Sequence, residues 1–344
     1  MSPNRSRASL VNGASSWLAV CVLTCWMTAS VMAPAGAAAD EVAKPRKASD
    51  DDQFTLVKDG DNTEILYDGK LVTRYLAKSG AKPIMWPLIG PDGIEMTRSF
   101  PMKEGVAGEK ADHPHHRSFW FTHGDVNGIS FWHENDAHGT IVQQEYLQRE
   151  GGDTATISTR NDWLGPDGKK VCEDTRTFVF HARGAFRWID ATIVVKATEG
   201  QVVFGDTKEG SFGVRVAGWM KEDAKQGGKI VTSEGKSGTD AWGKPARWVD
   251  YHGPAHGDGK VVGITIMNHP TSYGFPSHWH VRTYGLFAAN PFGLHDFYGA
   301  NSGKNGKLTL EKGETLTLKY RVLLHPGDHE QGEVEAFYKD YAGE

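Results

Sequence analysis

The 344-residue chain reads as an all-β protein built as a large antiparallel β-sandwich. Three observations predict this. Short alternating or β-branched runs are separated by Gly, Pro, Asn and Asp turns, only one segment has a helical period, and the length exceeds that of an immunoglobulin-type sandwich.

The elements follow in chain order. Residues 1–39 read as a secretory signal peptide: Arg5 and Arg7 precede the apolar run Leu10–Met32, and the small residues 35–39 supply a cleavage site. Residues 40–52 are charged and lack a hydrophobic period, so they read as a flexible leader. Residues 53–344 read as one β-sandwich domain. Glu64–Tyr67 and Lys70–Tyr75 flank Asp68-Gly69, a two-residue hairpin turn. Trp163-Leu164 and Lys169–Val171 form a second hairpin around Gly165–Gly168. Further strands are expected at Ser118–Thr122, Ile141–Gln148, Thr154–Arg160, Thr175–His181, Phe186–Lys196, Phe212–Trp219, Lys260–Asn268, Val281–Ala289 and Thr315–Leu324. Glu330–Tyr341 alone looks helical, with Val334, Phe337, Tyr338 and Tyr341 at i, i+3, i+4 and i+7. A sandwich of this length fits a galactose-mutarotase-like supersandwich, in which one concave sheet carries the site. A cupin-like jelly roll is the alternative. The long segment Ile84–Asp112 is expected to cross the open face.

Composition excludes several classes. Removing 1–39 takes Arg5 and Arg7 and no acid, leaving 36 basic and 43 acidic residues and a formal charge of −7. That balance is wrong for nucleic-acid binding. Cys172 alone survives such cleavage, so no intrachain disulfide forms. No later stretch is apolar enough to span a membrane, and the expected location is the periplasm or the exterior. GxSxG, Walker and GxGxxG patterns are absent. The oligomeric state is left open.

The densest chemistry lies between His113 and His138, which hold six histidines in 26 residues: His113, His115, His116, His123, His133 and His138. Imidazole titrates near neutral pH and is the commonest nitrogen ligand for metals. His115, His116 and His123 are therefore candidate acid/base groups, Arg117 a clamp for an oxyanion, and Trp120 a stacking platform for a sugar ring. Asp125 and Asn127 either serve that pocket or cap their own turn. His278 and His280 lie two apart in a strand and so share a face, which Arg282 extends. They are candidate ligands for a divalent metal, with a third ligand from His115, His116, His123, Glu209 or His269. Glu209 reads as a general base beside an imidazole, or as an ion-pair partner of Lys208. Arg215, Asp250, His269, Trp279 and Asn290 complete the polar and aromatic inventory for substrate binding.

The segments PDGIEMTRSFPM, DHPHHRSFWFTHGDVNG, GDTKEGSFGVRVA, PARWVDYHG and MNHPTSYGFPSHWHVRTYGLFAANPFG together resemble the bacterial domain family labelled methane oxygenase PmoA. The resemblance spans Pro91 to Gly293. It implies a large β-sandwich and one shared site containing His113, His115, His116, Arg117, His123, Asp125, Glu209, Arg215, His269, His278, His280 and Arg282. A membrane monooxygenase subunit needs several apolar spans of about 20 residues; after residue 39 this chain has none, and its mean hydropathy is −0.47. The expected function is an exported, carbohydrate-active protein whose His and Glu side chains perform epimerase, lyase or hydrolase chemistry on a small-molecule or glycan substrate. A mononuclear His-ligated metal enzyme or oxygenase and a non-catalytic glycan-binding module are the alternatives.

Overall fold

The computed structural model describes residues 53–135, 137–257 and 259–344; the expected signal peptide and leader lie outside them. The first strands are β1 (Phe54–Asp59), β2 (Asn62–Tyr67), β3 (Lys70–Ser79), β4 (Lys82–Met85), β5 (Phe119–His123) and β6 (Thr140–Glu150). There follow β7 (Ala155–Leu164), β8 (Lys170–Arg183), β9 (Phe186–Lys196), β10 (Val202–Phe204), β11 (Gly210–Arg215) and β12 (Lys229–Thr232). The last are β13 (Trp248–Pro254), β14 (Val261–Asn268), β15 (Trp279–Val281), β16 (Leu286–Ala289), β17 (Leu308–Leu310) and β18 (Thr315–Pro326). Helices α1 (Leu294–Tyr298) and α2 (Val334–Ala342) complete the set.

Two eight-stranded sheets form, in the orders β1-β2-β3-β4-β5-β11-β16-β15 and β12-β13-β14-β18-β9-β8-β7-β6, with β10 and β17 paired separately. All-β architecture is thus what the chain adopts, and sixteen strands in two sheets exceed the eight of a jelly roll. The sheets meet through aromatic rings: Phe212 of β11 stacks on Tyr320 of β18 at 4.4 Å, and Phe119 and Phe121 of β5 meet Phe178 and Trp163. A buried ion pair also sits in this core, where Asp174 holds Arg176 through two bonds and accepts from Asn161 and Trp163.

Burial patterns explain the strand sequences. Along β9, buried residues alternate with half-buried ones because only one face meets the core. The end of β18 is buried on both faces, since α2 covers the outer side. Val334, Phe337 and Tyr338 of α2 pack there on Trp248, Met267 and Leu323, as the period of that segment predicts. The helix starts four residues later than Glu330, because Asp328 caps a turn at Glu330 and Gln331 and Glu333 has a left-handed backbone.

One strand is broken. The expected run Val281–Ala289 is β15, a turn and β16: Arg282 and Leu286 close the turn, and Gly285 takes φ 99°. The break puts Tyr284 at a turn tip beside β11, where it matters for the site. Similarly β11 ends at Arg215 rather than Trp219. Among the described residues no helix is long and apolar enough to cross a membrane.

Candidate functional site

The outer face of the first sheet, away from the other sheet, gathers His113, His115, His116 and His280. Strand alternation sets this up. Phe119 and Phe121 point into the core and Trp120 points out; Phe212 and Val214 point in and Gly213 and Arg215 point out. Register then builds a row across five strands: Ile84, Trp120, Gly213, Ala288 and His280. Beside it lie Arg215, Leu286 and Arg282. Gly213 has a reason: a Cβ there would lie 2.9 Å from the Trp120 indole, which covers it.

Two walls flank the small residues Gly213 and Ala288. At a strand spacing of about 4.8 Å, the three steps from β5 to β15 separate them by about 14 Å. The first wall is the loop before β5. His116 stacks on Trp120 at 5.4 Å, His113 stacks on His116 at 5.0 Å and on Tyr284 at 5.4 Å, and His115 packs edge-on against His116. Arg215 donates from Nη1 to His116 Nδ1 (2.9 Å) and from Nη2 to Asp112 (3.2 Å), and its guanidinium lies over the Tyr284 ring. A guanidinium only donates, so His116 Nδ1 accepts and its Nε2 carries the hydrogen. Arg98 binds the same Asp112 at 2.7 Å and the carbonyls of His113 and His116. Burial, with Arg98 close by, pushes Arg215 down to about 10.

The second wall is β15 and the loop before β11. His280 Nδ1 donates to the Lys208 carbonyl at 2.7 Å, which leaves Nε2 as the free lone pair. Burial pushes His280 down to about 4, against the opposing pull of the nearby Glu209 carboxylate. Glu209 pairs with Lys208 Nζ at 3.1 Å, so the ion pair and the imidazole neighbour are both present. Asn290 donates to the Thr207 and Lys208 carbonyls, which fixes the loop that carries Glu209; it is a positioning residue rather than a ligand contact. The Arg282 guanidinium lies 4.8 Å over the Trp242 ring.

Desolvation keeps His115 and His116 neutral too. His115 is pushed down to about 3 by burial and by Lys82, and His116 well below the usual imidazole range by burial and His115. Buried donors with no acceptor among the described residues concentrate on this face: Nε1 of Trp86, Trp120, Trp132 and Trp242, and Nε of Arg98, Arg215 and Arg282. The floor is closed, with His116, Trp120 and His280 at most 2% exposed. A cavity of about 40 Å³ opens beside Arg98, Asp112, Arg215 and Tyr284. A larger one, about 570 Å³, lies by Lys58, Ala77, Gln143 and Tyr146 and contains none of the histidines.

Several expected site residues lie elsewhere. His123 faces the core against Phe204 and Phe292, bonded to Gly205 and Ser211, because it is three residues from Trp120 and so on the opposite face. Trp279 is fully buried in the core with its Nε1 on the Ala246 carbonyl, since its neighbour His280 points out. Arg117 is held by Glu134 through bonds of 2.6–3.1 Å, so its guanidinium is taken. Asp125 accepts from Gly128 and Asn127 exchanges two bonds with the backbone near β10, so both shape their turn. His269 packs on Tyr341 and accepts from Thr271, on the side of the second sheet. Asp250 is on the outer face of that second sheet, bonded to His252 and His325. His278 and His280 do not converge on one point: His278 Nε2 bonds Tyr298 and its ring stacks on Phe297.

Residues that the sequence reading missed are Arg98, Asp112, Trp132, Trp242 and Tyr284. Arg98 stood in the TRSFPM segment, and Arg98 and Asp112 both fall within or beside the long loop expected to cross the face.

Comparison with known structures finds partial likenesses. A GH36 α-galactosidase from Geobacillus stearothermophilus shares 10% identity at a TM-score of 0.37, over 81% of this chain and 41% of that one. The chain thus spans about two fifths of the galactosidase. A galactose mutarotase-like protein from Lactobacillus casei shares 12% identity at a TM-score of 0.30, over 79% of this chain and 100% of that one. A polysaccharide lyase shares 12% identity at a TM-score of 0.28, over 84% and 34%. No curated protein matches the chain in sequence. Residues 62–339 match the profile of a family of unknown function, DUF6807, and the chain belongs to that family.

Proposed function

We propose that this protein is an exported carbohydrate-active enzyme that acts on an oxidised saccharide, one bearing a carbonyl or carboxylate, at the outer face of the first sheet. The likeness to PmoA-labelled domains enters this reading only as a shared site. The observation that carries it is the set of buried indole and guanidinium N–H groups without acceptors, beside two neutral imidazoles. Buried donors without partners are costly, and a ligand rich in oxygen acceptors satisfies them.

The chemistry follows from the tautomers. His280 Nε2 is the base: it takes a proton from carbon next to the carbonyl or carboxylate, or from a hydroxyl. Glu209 stabilises the imidazolium that results. Arg282 holds the oxygen on which negative charge develops, an electrostatic contribution of the kind that dominates such reactions, while Arg215, its two Nη atoms bonded to His116 and Asp112, positions His116. His116 Nε2–H is a further donor from the opposite wall, and His115 stands beside it. His280 and the unpartnered donors lie beneath a closed floor, so the sugar reaches them as the rim formed by His113, His115, Tyr284, Glu209 and Arg282 moves aside.

The test is turnover of oxidised and unmodified glycosides by the chain lacking residues 1–39. Wild type is expected to convert at least one oxidised saccharide, and His280→Ala and Glu209→Gln to lose roughly 10²–10⁴-fold and a smaller factor respectively. Tight binding without turnover in wild type makes the protein a glycan-binding module instead. Turnover unaffected by His280→Ala overturns the assigned base.

A further inference from the structure

A second group of imidazoles lies on the opposite sheet and takes no part in the chemistry above. Trp248, Asp250 and His252 alternate out of β13 on the face away from the core, while Val249 and Tyr251 point in. Across β14, Thr265 stands opposite Asp250, and Gly263 stands opposite both His252 and His325 of β18. A Cβ at Gly263 would collide with the His325 ring, so only glycine leaves room for it.

Asp250 is fully buried. His252 Nδ1 reaches its Oδ1 at 2.5 Å, and His325 Nε2 and the Thr265 hydroxyl reach its Oδ2 at 2.7 and 2.8 Å. The segment after β18 then brings His329 over the cluster, its ring 6.1 Å from that of His252 and 6.0 Å from that of Trp248. Its Nδ1 is buried and has no hydrogen-bond partner. An orphaned buried nitrogen is destabilising, and this ring also sets a ligand atom close to a carboxylate and another imidazole. One ligand atom each from Asp250, His252 and His329 lie within 4.8 Å of one another.

We propose that Asp250, His252 and His329 bind one divalent transition-metal ion, with zinc the best match to two imidazoles and a carboxylate. Bonds of about 2.0–2.2 Å in a tetrahedron set ligand atoms about 3.3 Å apart. The widest pair therefore closes by at most about 1.5 Å, a movement available to His329 because it sits on a connecting segment rather than in a strand, and the Asp250–His252 contact opens by about 0.8 Å. The proton now shared between His252 and Asp250 leaves to solvent as the ion enters, as ligand deprotonation requires. His325 keeps its bond to the other Asp250 oxygen and orients that carboxylate. Water completes the fourth position. The ion ties β13 to the segment leading into α2, so it straps the C-terminal helix onto the sheet.

The test uses untagged protein stripped with chelator, reloaded with Zn²⁺ or Co²⁺ and desalted. Wild type is expected to retain one equivalent that His329→Ala does not, with a cobalt d–d band that disappears in the same variant and a metal-dependent rise in Tm. His325→Ala is expected to weaken retention by roughly 10–100-fold. His329→Ala removes no hydrogen bond at Nδ1, so it folds without metal and keeps the test open even if His252→Ala does not. His115→Ala and His280→Ala, on the other sheet, are expected to retain the equivalent. No retained metal in wild type, or the same retention and cobalt band in His329→Ala, overturns the site.

Discussion

Gly213 stands at the centre of the row that separates the two walls, and Gly213→Ala tests whether that row is packed as described. The new Cβ would lie 2.9, 3.0 and 3.4 Å from three carbons of the Trp120 indole. Carbon atoms pack at about 3.5–4.0 Å, so the ring must retreat by about 0.6 Å. It has little room: it is 2% exposed, with His116 stacked at 5.4 Å and Trp132 edge-on at 5.4 Å. Overpacking of this kind costs about 1–3 kcal/mol, and Gly→Ala recovers about 0.4–1 kcal/mol from the unfolded chain. The net loss is about 0.5–2 kcal/mol, a fall of about 1–6 °C in Tm. The assay is thermal and urea unfolding of Gly213→Ala, Trp120→Phe and the double variant. The smaller ring gives the methyl space, so the double variant should lose less than the sum of the singles, by about 0.5 kcal/mol or more. A Gly213→Ala protein as stable as wild type, strictly additive with Trp120→Phe, refutes the placement of the indole over Gly213.

Acid should destabilise the fold through its buried histidines. His123, His278 and His280 are pushed down to about 4 and His115 to about 3 by burial, whereas in the unfolded chain they titrate near 6.5. The unfolded state binds the protons first, so this stability is whole above about pH 6.5 and is lost as pH falls toward 4. The fully buried His123 accounts for on the order of 2–3 kcal/mol between pH 7 and 4.5; urea unfolding at both pH values should show a smaller drop for His123→Gln, and an equal drop contradicts its core placement. Glu134→Gln should cost about 3–5 kcal/mol, because Lys82, fully buried and bonded to Glu134 at 2.8 Å, loses its counter-charge; a loss below about 1 kcal/mol in the same assay shows that Arg117 and Lys82 do not depend on it. Cys172 is buried and its thiol is held well above the usual range by desolvation. Protein lacking residues 1–39 should therefore bind no thiol reagent when native and one equivalent when unfolded.

Much of the fold was legible because alternation and turn chemistry are local. The Asp68-Gly69 hairpin, the alternating β9 and the α2 stripe each follow from spacing alone. The β15–β16 break was not legible, since Val281–Ala289 is apolar throughout and only Gly285 marks the turn. For the site, parity carried more information than residue type. His278, His280 and Arg282 share a face as two-apart spacing requires, but Trp120 and His123 are three apart and Trp279 and His280 adjacent, so neither pair can serve one pocket. Asp250 and His252 obey the same rule on the other sheet. What spacing cannot supply is the partner: that Glu134 takes Arg117, or that Asp112 lies between Arg98 and Arg215, depends on loops that only the folded chain brings together.

The central claim is that the outer face of the first sheet recognises an oxidised saccharide through its unpartnered donors. Calorimetric titration of the chain lacking residues 1–39 with uronate-bearing and neutral saccharides tests it most directly, with Arg282→Gln and Arg215→Lys measured in parallel. The predicted result is binding of an anionic saccharide to wild type and a loss of about tenfold or more, about 1.4 kcal/mol, in Arg282→Gln at unchanged Tm. Failure of every saccharide to bind, or binding by Arg282→Gln and Arg215→Lys equal to wild type, contradicts the account.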